Sequence, residues 1–120
     1  MFTITKQFAF SAAHQLTHLS PTHQCARLHG HNYRVEMVLQ SELLDGATGF
    51  VRDYGDLKPV RDFIDGELDH RFLNDVQGAG IFTTAEHLAL AIFTRFLPSF
   101  PELVAVRVSE TPNTWAEYRP

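Results

Sequence analysis

Two histidines one residue apart, His29 and His31, follow the chain's only cysteine, Cys25, in the segment CARLHGHNYRV. If HGHNYRVEMVLQ forms a strand, both imidazoles project from one face, because side chains alternate along a strand. Two rings on one face can share a metal ion, and zinc readily accepts imidazole nitrogen. The segment therefore predicts two ligands of a metal site.

A third ligand is predicted at the end of an earlier strand. In FTITKQFAFSAAH, large apolar side chains mostly occupy the even positions, and His14 continues that face. This period of two is typical of a half-buried strand. Three histidines with an open fourth position are the pattern of catalytic zinc. A second interpretation stays open, in which Cys25 is the fourth ligand and closes a structural zinc site.

Four further side chains are candidates for chemistry. Cys25 lies among polar residues, which suits an accessible thiol. A nearby cation or metal could lower its pKa and make it a thiolate base. The alternative is a small buried hydrophobic residue, as free cysteines often are. Asp69 and His70 form a possible carboxylate–imidazole pair for proton transfer. The helix dipole also favours histidine at a helix C-terminus, and the local sequence alone favours this second interpretation. Glu110 ends a valine-rich face and could bind a guanidine-like edge, or simply reach solvent.

Composition and charge limit the classes of protein. The 120 residues, 44% hydrophobic, predict one domain spanning residues 1–120 with a core that needs no cross-links. A single cysteine excludes an internal disulfide. The net charge of −4 and the absence of a basic stripe argue against a nucleic-acid partner. Without a signal-peptide pattern or a bilayer-length apolar run, we expect no membrane association and a cytoplasmic location.

The elements that must position these residues follow the order strand, strand, helix, helix, strand, strand. We expect strands over 2–14 and 29–40 and a helix over 55–68. A second helix should begin at Thr83, with Glu86 completing a capping box. A last pair of strands should form a hairpin, its first strand pointing Val104, Val106 and Val108 inward. This order predicts an α+β domain with an antiparallel sheet covered on one face.

Six segments together resemble one known family. FSAAH, CARLHGHNY, VRDYGDLK, LDHRFLND, TTAEHLA and VSET occur in the order of the motifs of the 6-pyruvoyl-tetrahydropterin and 6-carboxy-tetrahydropterin synthase family. The resemblance covers nearly the whole chain. The short gap between Cys25 and HGH is similar to that in bacterial 6-carboxy-tetrahydropterin synthases of the queuosine pathway. The chain departs from the pattern at Thr83, where many relatives have proline, and at Tyr54, where phenylalanine is usual.

The resemblance implies a T-fold, a four-stranded antiparallel sheet with two helices on one face. It implies that subunits join their sheets into barrels, commonly as a homo-hexamer with active sites at subunit interfaces. It implies zinc bound by His14, His29 and His31. It also implies three roles near the zinc: Cys25 as general base, Asp69 and His70 as a proton-relay pair from a neighbouring subunit, and Glu110 as the anchor of the pterin ring.

The activity implied by the resemblance is that of a zinc-dependent lyase. Its substrate would be 7,8-dihydroneopterin triphosphate, and its products 6-carboxy-5,6,7,8-tetrahydropterin, acetaldehyde and triphosphate. Three alternatives stay open. The first is a 6-pyruvoyl-tetrahydropterin synthase, which eliminates triphosphate but keeps the side-chain carbons. The second is the same first step serving a deazapurine secondary metabolite, and the third is a zinc module that binds pterin-like ligands without turnover.

Overall fold

The computed structural model of the chain describes residues 1–80 and 82–120. The elements follow the predicted order. The strands and α-helices are β1 (Phe2–His14), β2 (His29–Ser41), α1 (Lys58–Phe63), α2 (Ala85–Phe96), β3 (Leu103–Thr111) and β4 (Thr114–Tyr118). All strand pairs are antiparallel, in the spatial order β1-β2-β3-β4.

The long β1–β2 hairpin sets the faces of the sheet. Its register runs without a shift from the pair Phe2–Ser41 to the pair His14–His29. The even positions of β1 and the odd positions of β2 therefore share one face. That face carries buried side chains such as Phe8, Phe10, Tyr33, Val35 and Met37, which pack in one core with the helices.

The helical segment after β2 is less regular than predicted. A 3₁₀ turn (Tyr54–Leu57) leads into α1, and a π-helical turn (Ile64–Leu68) ends the segment. The five apolar side chains that recur at helical spacing in this segment are all buried: Leu57, Val60, Phe63, Ile64 and Leu68. The wide last turn sets the position of the residues that follow it.

The N-cap of helix α2 lies one residue later than predicted. Its N-cap is Thr84, whose side chain accepts a hydrogen bond from the His87 N–H, so the capping box of Thr83 with Glu86 was wrong. Thr83 is buried instead, and its carbonyl accepts a bond from His14. One turn supplies both the helix cap and a contact to the end of β1.

Strand β3 contains a bulge that the alternation of valines did not reveal. Leu39 pairs with Leu103, whereas the adjacent Val38 pairs with Ala105, so Val104 is the extra residue. Leu103 therefore joins the core and Val104 does not. Val106 and Val108 point inward as predicted.

Within the described part of the chain, no helix is both long and apolar enough to cross a membrane. The cytoplasmic location stays a prediction.

Candidate active site

The β1–β2 register brings the three predicted metal ligands together at one end of the sheet. His14 lies directly opposite His29, and His31 follows on the same face of β2. Each residue offers one ligand atom, and these atoms all lie within 4.8 Å of one another. The structure thus places three imidazoles where a single metal ion can contact all of them.

Main-chain carbonyls orient two of these rings. Nδ1 of His14 lies 2.6 Å from the Thr83 carbonyl oxygen, and Nδ1 of His29 lies 2.7 Å from that of Arg27. Because a carbonyl can only accept, both Nδ1 atoms carry a proton, and in the neutral form of each ring Nε2 then carries the lone pair. The two Nε2 atoms lie 2.9 Å apart. Facing lone pairs repel each other, whereas a cation bound by both relieves that repulsion.

The third imidazole also fits a metal. Nε2 of His31 is buried, and it has no hydrogen-bond partner among residues 1–80 and 82–120. Oε2 of Glu110 lies 3.7 Å away, which is too far for a hydrogen bond. Unpartnered buried nitrogens are costly unless something binds them. Three imidazoles, two of them fixed by main-chain carbonyls, are a donor set suited to zinc.

Burial keeps two of these rings in the metal-binding form. The pKa of His14 is lowered chiefly by burial, and the pKa of His31 is lowered by burial and by the neighbouring His29. Only the neutral imidazole has a lone pair for a metal. Both shifts therefore favour ligation near neutral pH.

Asn74 ties the residue after His14 to the loop that carries Thr83. Its Oδ1 accepts the Gln15 N–H at 2.9 Å, and its Nδ2 donates to the Gln15 carbonyl at 2.7 Å. The Thr83 hydroxyl donates to the same Oδ1 at 3.4 Å. Sequence reasoning missed these supports. Thr83 and Arg27 act through main-chain carbonyls, which have no residue signature, and no spacing pattern predicts the contact of Asn74.

Cys25 lies in a partly exposed 3₁₀ turn, Gln24–Ala26. Its N–H donates to Nδ1 of His23 at 3.0 Å, and its carbonyl accepts the Leu16 N–H at 3.0 Å. Its sulfur is not part of the group of ligand atoms that the three histidines form within the described residues. The arrangement favours the open three-histidine site over the closed one.

Asp69 and His70 form a hydrogen-bonded pair at the end of the π-helical turn. Oδ2 of Asp69 lies 2.9 Å from Nδ1 of His70, and Oδ1 accepts the Ser11 N–H at 3.0 Å. The Ser11 bond, followed by the bond to His70, holds the pKa of Asp69 below its usual value. Among the described non-glycine residues only His70 has a left-handed backbone, with φ of 59°, and its side chain is 82% exposed. Such strained positions cluster at functional sites.

Glu110, on the neighbouring strand β3, lies close to the histidines of β2. The β3–β4 register shifts between Val108 and Thr111, and the Ser109 hydroxyl donates to the Thr111 carbonyl within this irregularity. Burial raises the pKa of Glu110. Together with His31 and Trp115, the carboxyl group lines a cleft of about 540 Å³. A carboxylate in such a wall can accept two parallel N–H bonds from a planar ligand.

A second cleft also includes His31 in its wall. It has a volume of about 580 Å³, and its walls include His31, His70 and Arg71. The two clefts share three consecutive residues, Gly30, His31 and Asn32. The structure therefore brings His70 and the histidine group to one cleft, and Glu110 and the same group to the other.

A four-stranded antiparallel sheet with two helices on one face and a three-histidine group at its end defines a T-fold protein with a candidate metal centre. The sequence model of the 6-pyruvoyl tetrahydropterin synthase family matches residues 3–120. This chain belongs to that family, a family of enzymes, so the resemblance and the fold predicted from sequence are confirmed.

Known proteins similar to this chain include both branches of the family. A 6-carboxy-5,6,7,8-tetrahydropterin synthase of Synechocystis is 38% identical over 123 residues, covering 98% of this chain and 93% of that protein. The human 6-pyruvoyl tetrahydrobiopterin synthase is 32% identical over 131 residues, covering 97% and 90%. The solved structure of the Caenorhabditis elegans 6-pyruvoyl tetrahydropterin synthase has a TM-score of 0.86 at 29% identity, covering 99% of this chain and 95% of that chain.

Proposed function

We propose that this protein is a zinc-dependent 6-carboxy-5,6,7,8-tetrahydropterin synthase, a carbon–carbon lyase. It would convert 7,8-dihydroneopterin triphosphate and one water into 6-carboxy-5,6,7,8-tetrahydropterin, acetaldehyde and triphosphate, on a route to queuosine or a related deazapurine. The similarity to the Synechocystis enzyme over 98% of the chain supports this reaction. The similarity to the human enzyme supports a second candidate, 6-pyruvoyl-tetrahydropterin synthase, which would release triphosphate and keep all side-chain carbons.

The observation that carries the proposal is the histidine group. Two rings have Nδ1 committed to carbonyls, and their Nε2 atoms face each other at 2.9 Å beside a buried unpartnered nitrogen of His31. His14, His29 and His31 would hold zinc through these nitrogens. When bound, zinc would supply Lewis acidity that lowers the pKa of the substrate's hydroxyl groups.

The remaining side chains would bind the substrate and move protons. Cys25 as a thiolate would remove a proton from a side-chain carbon, a contribution typically worth about 10²- to 10⁴-fold in rate. Asp69 accepts from Nδ1 of His70 and leaves Nε2 of that ring free to exchange a proton. Glu110 would accept two N–H bonds from the guanidine-like edge of the pterin and so orient the side chain toward the histidines.

We also propose a homo-oligomer, most simply a hexamer whose sheets join into barrels, in which His70 serves a neighbouring subunit. The 82% exposure of its side chain supports this, since such a ring is available to another copy. β1 and β4 are the edge strands of the sheet, and such edges can pair with strands of another copy. Six chains of 13.6 kDa would give about 82 kDa in light scattering; a mass of one chain would contradict the assembly.

Mass spectrometry of the pterin product tests the reaction. Zinc-loaded protein is incubated with 7,8-dihydroneopterin triphosphate, with a His29→Ala variant as the control for contaminating activity. We expect 6-carboxy-tetrahydropterin and one acetaldehyde for each triphosphate released. A 6-pyruvoyl product without acetaldehyde would establish the second candidate, and unchanged substrate would favour the non-catalytic zinc module.

A further inference from the structure

Four cationic side chains differ from the rest because no carboxylate lies close to them. Within the described residues, six of the ten lysines and arginines have a carboxylate oxygen within 4.0 Å: Arg52, Lys58, Arg61, Arg95, Arg107 and Arg119. The other four are Lys6, Arg27, Arg34 and Arg71. In a chain of net charge −4, an uncompensated cation is a favourable place for an anionic group.

Arg71 is the one of these four that lines the cleft of His31 and His70. It also lines an adjoining cleft of about 450 Å³, which includes Gly66 and the ion pair of Glu67 with Arg95 at 3.8 Å. Nη2 of Arg71 donates to the neutral carbonyl of Gly66 at 3.0 Å. A guanidinium has five N–H donors, so this bond leaves enough of them to bind an anion through two parallel contacts.

The backbone that carries Arg71 is fixed against the edge of the sheet. The His70 N–H donates to the Ser11 carbonyl at 2.6 Å, and the Ala13 N–H donates to the Arg71 carbonyl at 3.0 Å. A parallel bridge joins Ala13 to Phe72 immediately afterwards. The guanidinium therefore extends from a backbone that needs no ordering when a ligand binds.

The two clefts meet at His31. Glu110 lines one of them and Arg71 lines the other, and both include Gly30, His31 and Asn32. A ligand whose ring contacts Glu110 and whose side chain reaches His31 can therefore extend its tail into the cleft of Arg71. Of the other three cations without a nearby carboxylate, Arg34 lines the Glu110 cleft but not the Arg71 cleft. Lys6 and Arg27 line neither cleft.

We propose that Arg71 binds the phosphate groups of the substrate, as a charge-assisted bidentate contact at the far end from Glu110. The inference deepens the proposed function and rests on it. It gives Arg71 a role in substrate affinity, while proton transfer belongs to Cys25 and to the Asp69–His70 pair, which the proposed assembly would supply from a neighbouring subunit. The guanidinium plane matches the spacing of phosphate oxygens better than a lysine ammonium does.

Binding of inorganic triphosphate to the zinc-loaded full-length protein tests this directly by calorimetry. We expect Arg71→Gln to weaken binding about tenfold to a hundredfold, the usual range for loss of a hydrogen bond to a charged group. Arg71→Lys should lose less of the triphosphate affinity. The matched control Arg34→Gln should keep a triphosphate affinity within about threefold of wild type, because its cation lies outside the cleft of Arg71. Zinc content is measured after each titration, so that removal of the metal by triphosphate is not counted as binding.

Steady-state kinetics separate affinity from chemistry. Arg71→Gln should raise KM for the pterin triphosphate by a similar factor with little change in kcat. Unchanged triphosphate affinity, or a larger loss in Arg34→Gln, would overturn the role of Arg71. If Arg71→Gln loses its melting transition, Arg71→Lys decides: several-fold weaker binding supports the role, and unchanged binding overturns it.

The two proposals fail in different ways. Turnover that does not depend on Arg71, with triphosphate affinity equal in wild type and Arg71→Gln, would leave the lyase standing and remove the phosphate contact. Arg71-dependent binding of triphosphate without any turnover would keep the phosphate contact and contradict the lyase.

Discussion

Asn74→Ala tests whether the hydrogen bonds around His14 position the three candidate metal ligands. The amide of Asn74 makes two hydrogen bonds to the backbone of Gln15, at 2.9 and 2.7 Å, and receives a weaker one from Thr83 at 3.4 Å. Both residues help to position His14: Gln15 follows it in the chain, and the Thr83 carbonyl accepts a hydrogen bond from its ring. Removal of the Asn74 amide should therefore loosen the His14 ring.

The expected magnitude follows from these bonds. Each strong bond contributes about 0.5–1.5 kcal/mol, and water can replace both at this exposed position, so we expect a loss of about 1–2 kcal/mol in the free energy of unfolding. For a chain of 120 residues this is a fall of roughly 3–8 °C in Tm. Loss of a group that hydrogen-bonds a metal ligand typically weakens metal binding about tenfold to a hundredfold. Asn74 acts one bond further out, so we expect the low end, about tenfold.

The assay is competition for zinc against a chromophoric chelator, with melting curves of the zinc-loaded and metal-free forms. Asn113→Ala, in the exposed turn between β3 and β4, is the matched control and should change neither quantity. Asn74→Asp keeps the acceptor for the Gln15 N–H and loses the donor, so its zinc affinity should be intermediate. A lower Tm with zinc affinity within about twofold of wild type would refute the positioning role and leave Asn74 as a fold contact.

Three further substitutions test other parts of the site and the sheet. Cys25→Ala should lower turnover by about 10²- to 10⁴-fold and keep one zinc per chain in metal analysis, whereas loss of zinc would support the closed structural site. Glu110→Gln should raise KM about tenfold or more, because an amide presents one acceptor where the carboxylate presents two; unchanged KM with an intact Tm would contradict the ring-anchoring role. Glu36, on the face of the sheet away from the helices, is buried, and burial raises its pKa. Hydrogen bonds from Gln7 and Arg107, at 2.8 and 2.9 Å, outweigh burial and bring the net pKa below 4.5. A carboxyl whose pKa is lowered in the folded state stabilises the fold above its unfolded pKa and loses that effect as the pH falls through the folded pKa; Glu36→Gln should therefore flatten the fall of stability below about pH 4.5, and a stability curve that matches wild type would refute this.

Alternation along the chain was sufficient to predict the hairpin that builds the site. β1 and β2 pair without a bulge, so parity carries from Phe8 to His14 on one strand and from Tyr33 to His29 on the other. A fixed period of two then decides which side chains share a face. The same logic failed in β3, where one extra residue moved Val104 out of the core, because a bulge depends on the neighbouring strands and not on local alternation.

The three candidate ligands were predictable as a group, and the contacts that support them were not. His14, His29 and His31 have a residue type and a spacing that indicate metal binding. The carbonyls of Thr83 and Arg27 that hold two of these rings belong to backbone groups that every residue has. The choice of Thr84 over Thr83 as helix cap likewise depended on a tertiary contact, since the two residues are identical in type.

The pair of Asp69 and His70 shows a similar limit. Their adjacency suggested either proton transfer or a helix end, and local evidence preferred the helix end. In the structure the carboxylate bridges the His70 ring and the Ser11 N–H of β1. That contact joins residues 58 positions apart in the chain, so no local pattern could reveal it.

Activity measured during a zinc titration is the most direct test of a catalytic metal at the three histidines. Metal-stripped protein receives zinc in steps, and the rate of 6-carboxy-tetrahydropterin formation is followed at each step. We expect no rate at the start, a linear rise and a break at one zinc per chain, with no rise in His14→Ala. Full activity in the stripped protein, or an equal rise in His14→Ala, would contradict a catalytic metal held by these three histidines.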